Sequence, residues 1–410
     1  MRYLIFSLVF ITLFSCKTDN KTEAKNKSKT LETVTYRVAL DLNNGVELPF
    51  LMEVTSSTTA KVYNADEVIE IDEIAYENDS VYIKTPVFQA YLVAKINEDG
   101  SLTGNYVKEA LNRYVPFVAT QSDVRFKTNE PSKSDVSGNW ETVFSPDSDD
   151  NRYIAKGVFK QTGNKVTGTF ETTTGDYRFL EGVVSGTELK LSTFDGAHAF
   201  MFKATVTDST MTGTFYSGNH WQEPFTAKRN ANYELPDANS LTYLKEGYDK
   251  VAFSFPDANG NLVSLEDDRF KNKVVLVQLM GTWCPNCLDE SKYLSKYYQE
   301  HQDDGLEIVA LAFEYVKTED QAFKNIQRLQ ERIGITYPIL LAQTGTSNKA
   351  KAQEKLPMLN QVLSYPTTIF IDKTGQVRKI HTGFNGPATS EKYTQFTTEF
   401  EGFVGELLAE

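Results

Sequence analysis

The sequence predicts a multidomain chain: two related all-β modules, each a meander barrel or sandwich, followed by an α/β domain. Three observations predict it. Residues 35–131 and 137–230 are dense in Val, Ile, Tyr, Phe and Thr, in short runs cut by turn dipeptides such as Asp99-Gly100. The two stretches repeat each other at an offset of 108 or 109 residues. From about residue 241 to the end at 410, apolar strands alternate with helical periodicity. A chain of 410 residues accommodates two or three such units at ~150 residues each.

In the first module, Tyr36-Arg37-Val38-Ala39-Leu40, Val68-Ile69-Glu70-Ile71 and Ala90-Tyr91-Leu92-Val93-Ala94 have the composition of antiparallel strands. Asp99-Gly100, between Val93-Ala94-Lys95-Ile96 and Leu102-Thr103-Gly104-Asn105-Tyr106, predicts a hairpin. The copy is visible residue by residue. Leu102-Thr103-Gly104-Asn105-Tyr106, then Val115-Pro116-Phe117, parallels Met211-Thr212-Gly213-Thr214-Phe215, then Glu223-Pro224-Phe225. The glycine of each Thr-Gly pair is expected at a bulge or bend. Phe200, Phe202, Phe215, Trp221, Tyr91 and Tyr106 alternate as core residues do, and His220-Trp221 reads as a loop anchor. A spacer and a docking platform are both open roles for these modules.

A linker of turn composition follows at 229–240. The α/β domain then begins with a hairpin over 253–265, turning at Asn259-Gly260. Next come a strand at 274–280 and a helix from Pro285 to about 301, where a first-turn proline loses no intrahelical partner. A second apolar strand at 306–313 precedes a helix over 320–333, a short strand at 337–341 and a helical stretch over 350–363. Strands at 367–372 and 377–381 form a hairpin across Lys373-Thr374-Gly375, and a helix over 390–409 closes the chain.

Between the 274–280 strand and its helix lies Trp283-Cys284-Pro285-Asn286-Cys287. Two intervening residues let both sulfurs meet on the first helical turn, so the pair can cycle between dithiol and disulfide. Orphan N–H groups and the partial positive charge of the helix N-terminus stabilise a thiolate on the exposed Cys284, which makes it the nucleophile. The chain has three cysteines. Disulfides serving stability would need more, and a bridge across two residues closes too small a loop to stabilise anything. His198, His220, His301 and His381 lack the spacing of a zinc site, so no metal or cofactor is expected. The formal net charge of −13 speaks against nucleic acid as a partner.

The N-terminus bears on location. Met1-Arg2-Tyr3, an apolar run over 4–14 and Ser15 make a secretory signal, and the run is too short to span a membrane. Leu13-Phe14-Ser15-Cys16 resembles a bacterial lipobox, which implies cleavage before Cys16 and lipidation of that residue. An ordinary secreted protein with an unmodified Cys16 is the plainer alternative. Residues 16–34 are polar and lysine-rich, the composition of a flexible tether. The expected setting is a bacterial cell envelope, the membrane reached through lipid on Cys16. Two β modules would form a stalk with the α/β domain at its end.

On Trp283–Cys287, on Ser364-Tyr365-Pro366-Thr367-Thr368-Ile369-Phe370-Ile371-Asp372 and on Tyr337-Pro338-Ile339-Leu340, residues 241–410 resemble the TlpA-like group of thioredoxin-fold disulfide reductases. The extra strand and helix before the proline strand resemble that group more than plain thioredoxin. The β modules lie outside the resemblance. It implies a cis Pro366 facing the cysteines, with Tyr365 offering its backbone to an extended substrate chain and Trp283, Pro285 and Thr367 beside it. Thioredoxins carry a buried aspartate six residues before the first cysteine, where Gln278 stands here. TlpA-like reductases often place a glutamate three residues after the second cysteine; Glu290 is there, one turn beyond Cys287 and able to take up its proton. Glu314, past the second buried strand, is a further candidate.

The function so implied is thiol–disulfide exchange through Cys284 and Cys287, with a disulfide-bearing envelope protein as substrate and a membrane thiol-transfer protein as electron donor. Two rivals remain. A thiol peroxidase would place its reactive cysteine after a Pro-x-x-x-Thr-type loop with a nearby arginine, and Leu279-Met280-Gly281-Thr282-Trp283, which leads into Cys284, is no such loop. A surface ligand-binding lipoprotein would make the redox domain ancillary.

Overall fold

The computed structural model describes residues 29–410; the signal segment, Cys16 and the first part of the tether lie outside the described residues. Each repeat folds as a nine-stranded antiparallel sheet with largely sequential pairing. In the first, the opening strand Thr35–Asp41 pairs with the last, Arg113–Gln121, while Glu67–Ile71 and Ile74–Glu77 stand at the two edges. In the second, Gly138–Phe144 pairs with Trp221–Arg229, and pairing of Tyr153–Thr162 with Lys165–Thr172 closes the sheet into a barrel. Inward residues alternate along the strands, and Trp140, Phe144, Phe170, Phe202 and Phe225 are fully buried there. Two expectations fail. Trp221 is exposed because it precedes the buried positions of its strand, and Tyr91 is half-buried because its strand turns Leu92, Ala94 and Ile96 inward and Tyr91 to the other face.

Gly104 and Gly213 sit in unbroken register opposite Ala94 and Ala204, so neither marks the expected bulge. A Cβ on either would collide with the carbonyl of Val93 or Lys203 on the neighbouring strand. Close approach of two strands is the reason for glycine here. Gly213→Ala should therefore destabilise the protein by ~1–3 kcal/mol, seen as a lower midpoint in thermal unfolding.

The α/β domain is built on a five-stranded sheet. In chain order its strands are β1 (Val274–Met280), β2 (Leu306–Phe313), β3 (Ile339–Gln343), β4 (Thr367–Ile371) and β5 (Val377–Thr382). Their spatial order is β3-β2-β1-β4-β5, with β1, β2 and β3 parallel and β4 and β5 antiparallel. The helices are α1 (Pro285–His301), α2 (Glu319–Ile333), α3 (Lys349–Lys355) and α4 (Glu391–Ala409). This is a β-α-β half joined to a β-β-α half, the thioredoxin order. Every residue of β1 is buried, as its uniformly apolar run requires of a central parallel strand. Thr318 caps α2, and Gly334 ends it at a φ of 73°. The helix expected over 350–363 stops at Lys355, because Pro357 holds Leu356 out of helical geometry. Among the described residues no helix is long and apolar enough to cross a membrane.

The three units are not beads on a stalk. Phe194 of the second module stacks on Phe50 of the first at 4.2 Å between centroids, and Asn64 exchanges two hydrogen bonds with the Phe194 backbone. Phe88 and Ala197, from loops of the two modules, are buried in the core of the α/β domain. Arg328 and Arg332 on α2 pair with Asp72 and Glu73 of the first module. Apolar insertion and paired charges thus fix the α/β domain against both modules, where the sequence suggested a domain at the far end of a tether.

Candidate active site

Where β1 ends, the chain turns through Gly281 and Thr282 into Trp283 and the cysteine pair. Cys284 is the N-cap of α1: its Sγ accepts the Cys287 N–H at 3.2 Å, and its carbonyl accepts the Leu288 N–H. Pro285 follows at the first helical position, buried. Both cysteines are free thiols. Cys284 retains 7% exposure and Cys287 none. The inner thiol is therefore shielded and the outer one is the atom a substrate can reach. Burial pushes the Cys287 thiol well up, with the Cys284 sulfur and the Glu290 charge adding to it.

The Tyr365–Pro366 peptide is cis and faces the pair, and the Cys284 thiol donates to the Tyr365 carbonyl at 3.4 Å. The Tyr365 ring stacks on Phe313 and meets Trp283 edge-on, at centroid distances of 5.3 and 5.9 Å. The Trp283 indole N–H is fixed to the Phe313 carbonyl at 2.9 Å. These aromatics form a rigid apolar wall on one side of Cys284. Thr367 is placed differently from a substrate contact. It is fully buried, and its hydroxyl donates to the Ser364 carbonyl, so the side chain braces the proline loop.

Behind Cys287, Glu290 is buried on the inner face of α1. The Gln278 amide donates to its Oε2 at 2.7 Å and the Thr368 hydroxyl to its Oε1 at 2.9 Å, while Gln278 accepts from Ser291 at 3.1 Å. Desolvation raises the Glu290 carboxyl to about 7, against the two hydrogen bonds that favour its charged form. A carboxyl poised there can both take and return a proton near neutral pH. Gln278, in the place of an acid, orients Glu290 instead of titrating. Thr368 was not read from the sequence as a site residue; the sheet sets it beside Gln278 of β1.

Glu314, past the end of β2, accepts the Thr282 backbone N–H at 2.7 Å and the Thr282 hydroxyl at 2.8 Å. Desolvation raises it too to about 7. It ties the turn before Trp283 to β2, so its direct partner is that turn. A Thr282→Val variant keeps the shape but withdraws one of these bonds; it should cost ~1–3 kcal/mol of stability in a denaturant titration.

Residues outside the domain also reach the site. The Asn286 amide donates to the carbonyl of Asp176 in the second module, and Ser364 donates to that of Thr174. Arg178 pairs with Asp289, two residues past Cys287. No local sequence signal marks these contacts.

Residues 234–395 match the family described as Redoxin. The chain is 32% identical over 131 residues to the thiol-disulfide oxidoreductase ResA of Geobacillus thermodenitrificans, which covers 32% of this chain and 66% of that protein. It is 29% identical over 140 residues to the thioredoxin-like protein YneN of Bacillus subtilis, 34% of this chain and 73% of that one. The chain thus spans about two thirds of the length of the curated relatives it matches. A solved thiol-disulfide oxidoreductase of Bacteroides fragilis overlaps 36% of this chain and 99% of its own, at 18% identity and a TM-score of 0.27. With the dithiol at the start of α1, the β3-β2-β1-β4-β5 sheet and the redoxin match together, the C-terminal part of this chain is a thioredoxin-fold redox domain of the kind that acts on disulfides.

Proposed function

We propose that the protein is an envelope thiol–disulfide oxidoreductase that reduces disulfides of protein or peptide chains through Cys284 and Cys287. The observation that carries this reading is the reduced pair itself: a reachable Cys284 at the helix N-terminus, a buried Cys287 and a titratable Glu290 behind it. The Cys284 thiolate attacks one sulfur of the substrate disulfide, forming a mixed disulfide and expelling the other sulfur as thiolate. Cys287 gives its proton towards Glu290 and attacks Cys284. The substrate leaves with two thiols and the protein keeps the Cys284–Cys287 disulfide, two electrons having passed to the substrate. Renewal of the dithiol needs a dithiol donor, for which a membrane thiol-transfer protein is the proposed partner. Lipidation of Cys16 would hold the chain at the membrane where such a donor resides.

The test uses the purified protein with dithiothreitol as the donor and a flexible disulfide-bonded peptide as the substrate. Catalysis well above the dithiothreitol background, with both thiols of the pair alkylated when the reduced protein is denatured and neither when the oxidised protein is, is the expected result. A rate equal to background sinks the reading.

A further inference from the structure

Thiol–disulfide exchange joins the attacking sulfur to one sulfur of the substrate while the other leaves on the opposite side, so the surfaces flanking Cys284 decide which disulfides reach it. Three flanking segments belong to the redox domain: the Pro285-Asn286 turn, the loop at Ser364–Pro366, and the loop from Gly383 to Gly386 after β5. The second β module sends a fourth segment, the turn around Thr173–Asp176, and it touches all three. Asp176 accepts the Asn286 amide through its carbonyl at 3.2 Å and the Gly386 N–H through its carboxylate. Thr174 accepts the Ser364 hydroxyl at 2.8 Å. A Cβ on Gly175 would collide with the Asn286 amide, and one on Gly383 with the Thr173–Thr174 backbone. The turn and the rim of the site leave no room for a side chain between them.

Arg178 anchors this turn. It is 4% exposed and pairs with Glu67 of the first module and Asp289 on α1, with Asp195 at 3.8 Å. A buried cation beside the buried Asp195 and the largely buried Glu67 and Asp289 cannot be withdrawn without leaving them uncompensated, so this pairing holds both modules against the first turn of α1. On the Trp283 side, Phe88 of the first module and Ala197 of the second close in beside the indole, and Lys108 donates to the Ala197 carbonyl at 2.9 Å. Cys284 therefore lies between walls that the redox domain alone would not have.

We propose that the Thr173–Asp176 turn, with Arg178 as its positioning residue, is a specificity-determining element. It admits small or extended disulfides to Cys284 and turns away disulfides displayed on folded surfaces. This rests on the reading of Cys284 as the nucleophile, and it gives the β modules a role in choosing the substrate.

The test uses the full chain with glutathione disulfide as the small probe and insulin as the folded one. In Gly175→Ala, which forces the turn off Asn286, and in Arg178→Gln, the insulin-to-glutathione ratio of kcat/KM should rise at least tenfold, with the glutathione value itself moving less than twofold. A ratio unchanged within twofold in folded variants overturns the proposal. A second measurement needs no variant: alkylation of Cys284 by iodoacetamide and by a maleimide bearing a 5-kDa polyethylene glycol chain. Relative to the denatured protein, the native wild type should discriminate at least tenfold against the large reagent, and equal rates overturn the proposal. If the wild type reduces neither disulfide, the function proposed above fails, while the alkylation ratio still reports on the turn.

Discussion

Cys284→Ala is expected to abolish disulfide reduction outright, and Cys287→Ala to convert the protein into a trap. The asymmetry follows from burial: Cys284 keeps a little exposure and Cys287 has none. Without Cys284, no cysteine among the described residues is within reach of a substrate. Without Cys287 the first exchange still proceeds, but nothing resolves the mixed disulfide, which then persists until an external thiol arrives. Non-reducing gels of cell extracts carrying Cys287→Ala should show discrete adducts that collapse on reduction and disappear in the double variant. Mass spectrometry of those adducts would name the client. Full activity in Cys284→Ala would end the redox interpretation.

Glu290→Gln should show two separable effects. The first is on chemistry: Cys287 loses the carboxyl proposed to take its proton, and a positioned general base contributes ~10²–10⁴-fold, so resolution of the mixed disulfide should slow by ~10²-fold or more in rapid-quench measurements. Initial attack by Cys284 should be far less affected. The second effect is on stability. Burial raises the Glu290 carboxyl from 4.5 to about 7, so between those pH values the folded protein holds a proton that the unfolded chain has released. That contribution is present in full below about 4.5 and is lost as pH rises through about 7, worth ~3 kcal/mol over the window. Glutamine cannot titrate. Urea titrations at pH 5 and pH 8 should show a smaller drop in stability for Glu290→Gln than for wild type, with the remaining drop shared by Glu314 and Glu171, which are raised for the same reason. Equal pH dependence in both proteins would show that Glu290 stays ionised in the fold.

What could be read in advance follows the range of the interactions. The span of α1 and the runs of β1 and β2 are local, set by apolar period and by a proline tolerated at a first turn, and the structure has them at the expected residues. Glu290 was named through the resemblance to TlpA-like reductases, and helical spacing sets it one turn beyond Cys287. The early end of α3 was legible in principle, since a proline restricts the residue before it, but the apolar spacing over 350–363 imitates a longer helix. Thr368 was not legible: a strand brings it to Glu290 from 78 positions away, and no pattern in the chain marks that pairing.

By itself, then, the sequence determined the strand-rich segments, the strand–helix alternation and the placing of the dithiol, because each depends on neighbours within a few turns of chain. Only the tertiary structure decided that the modules are walls of the site. Asn286 and Asp176 lie 110 residues apart and meet only because the Arg178 cluster and the Phe88 and Ala197 insertions bury apolar surface and charge together at that junction. Such burial depends on how completed surfaces fit, and no local pattern encodes it.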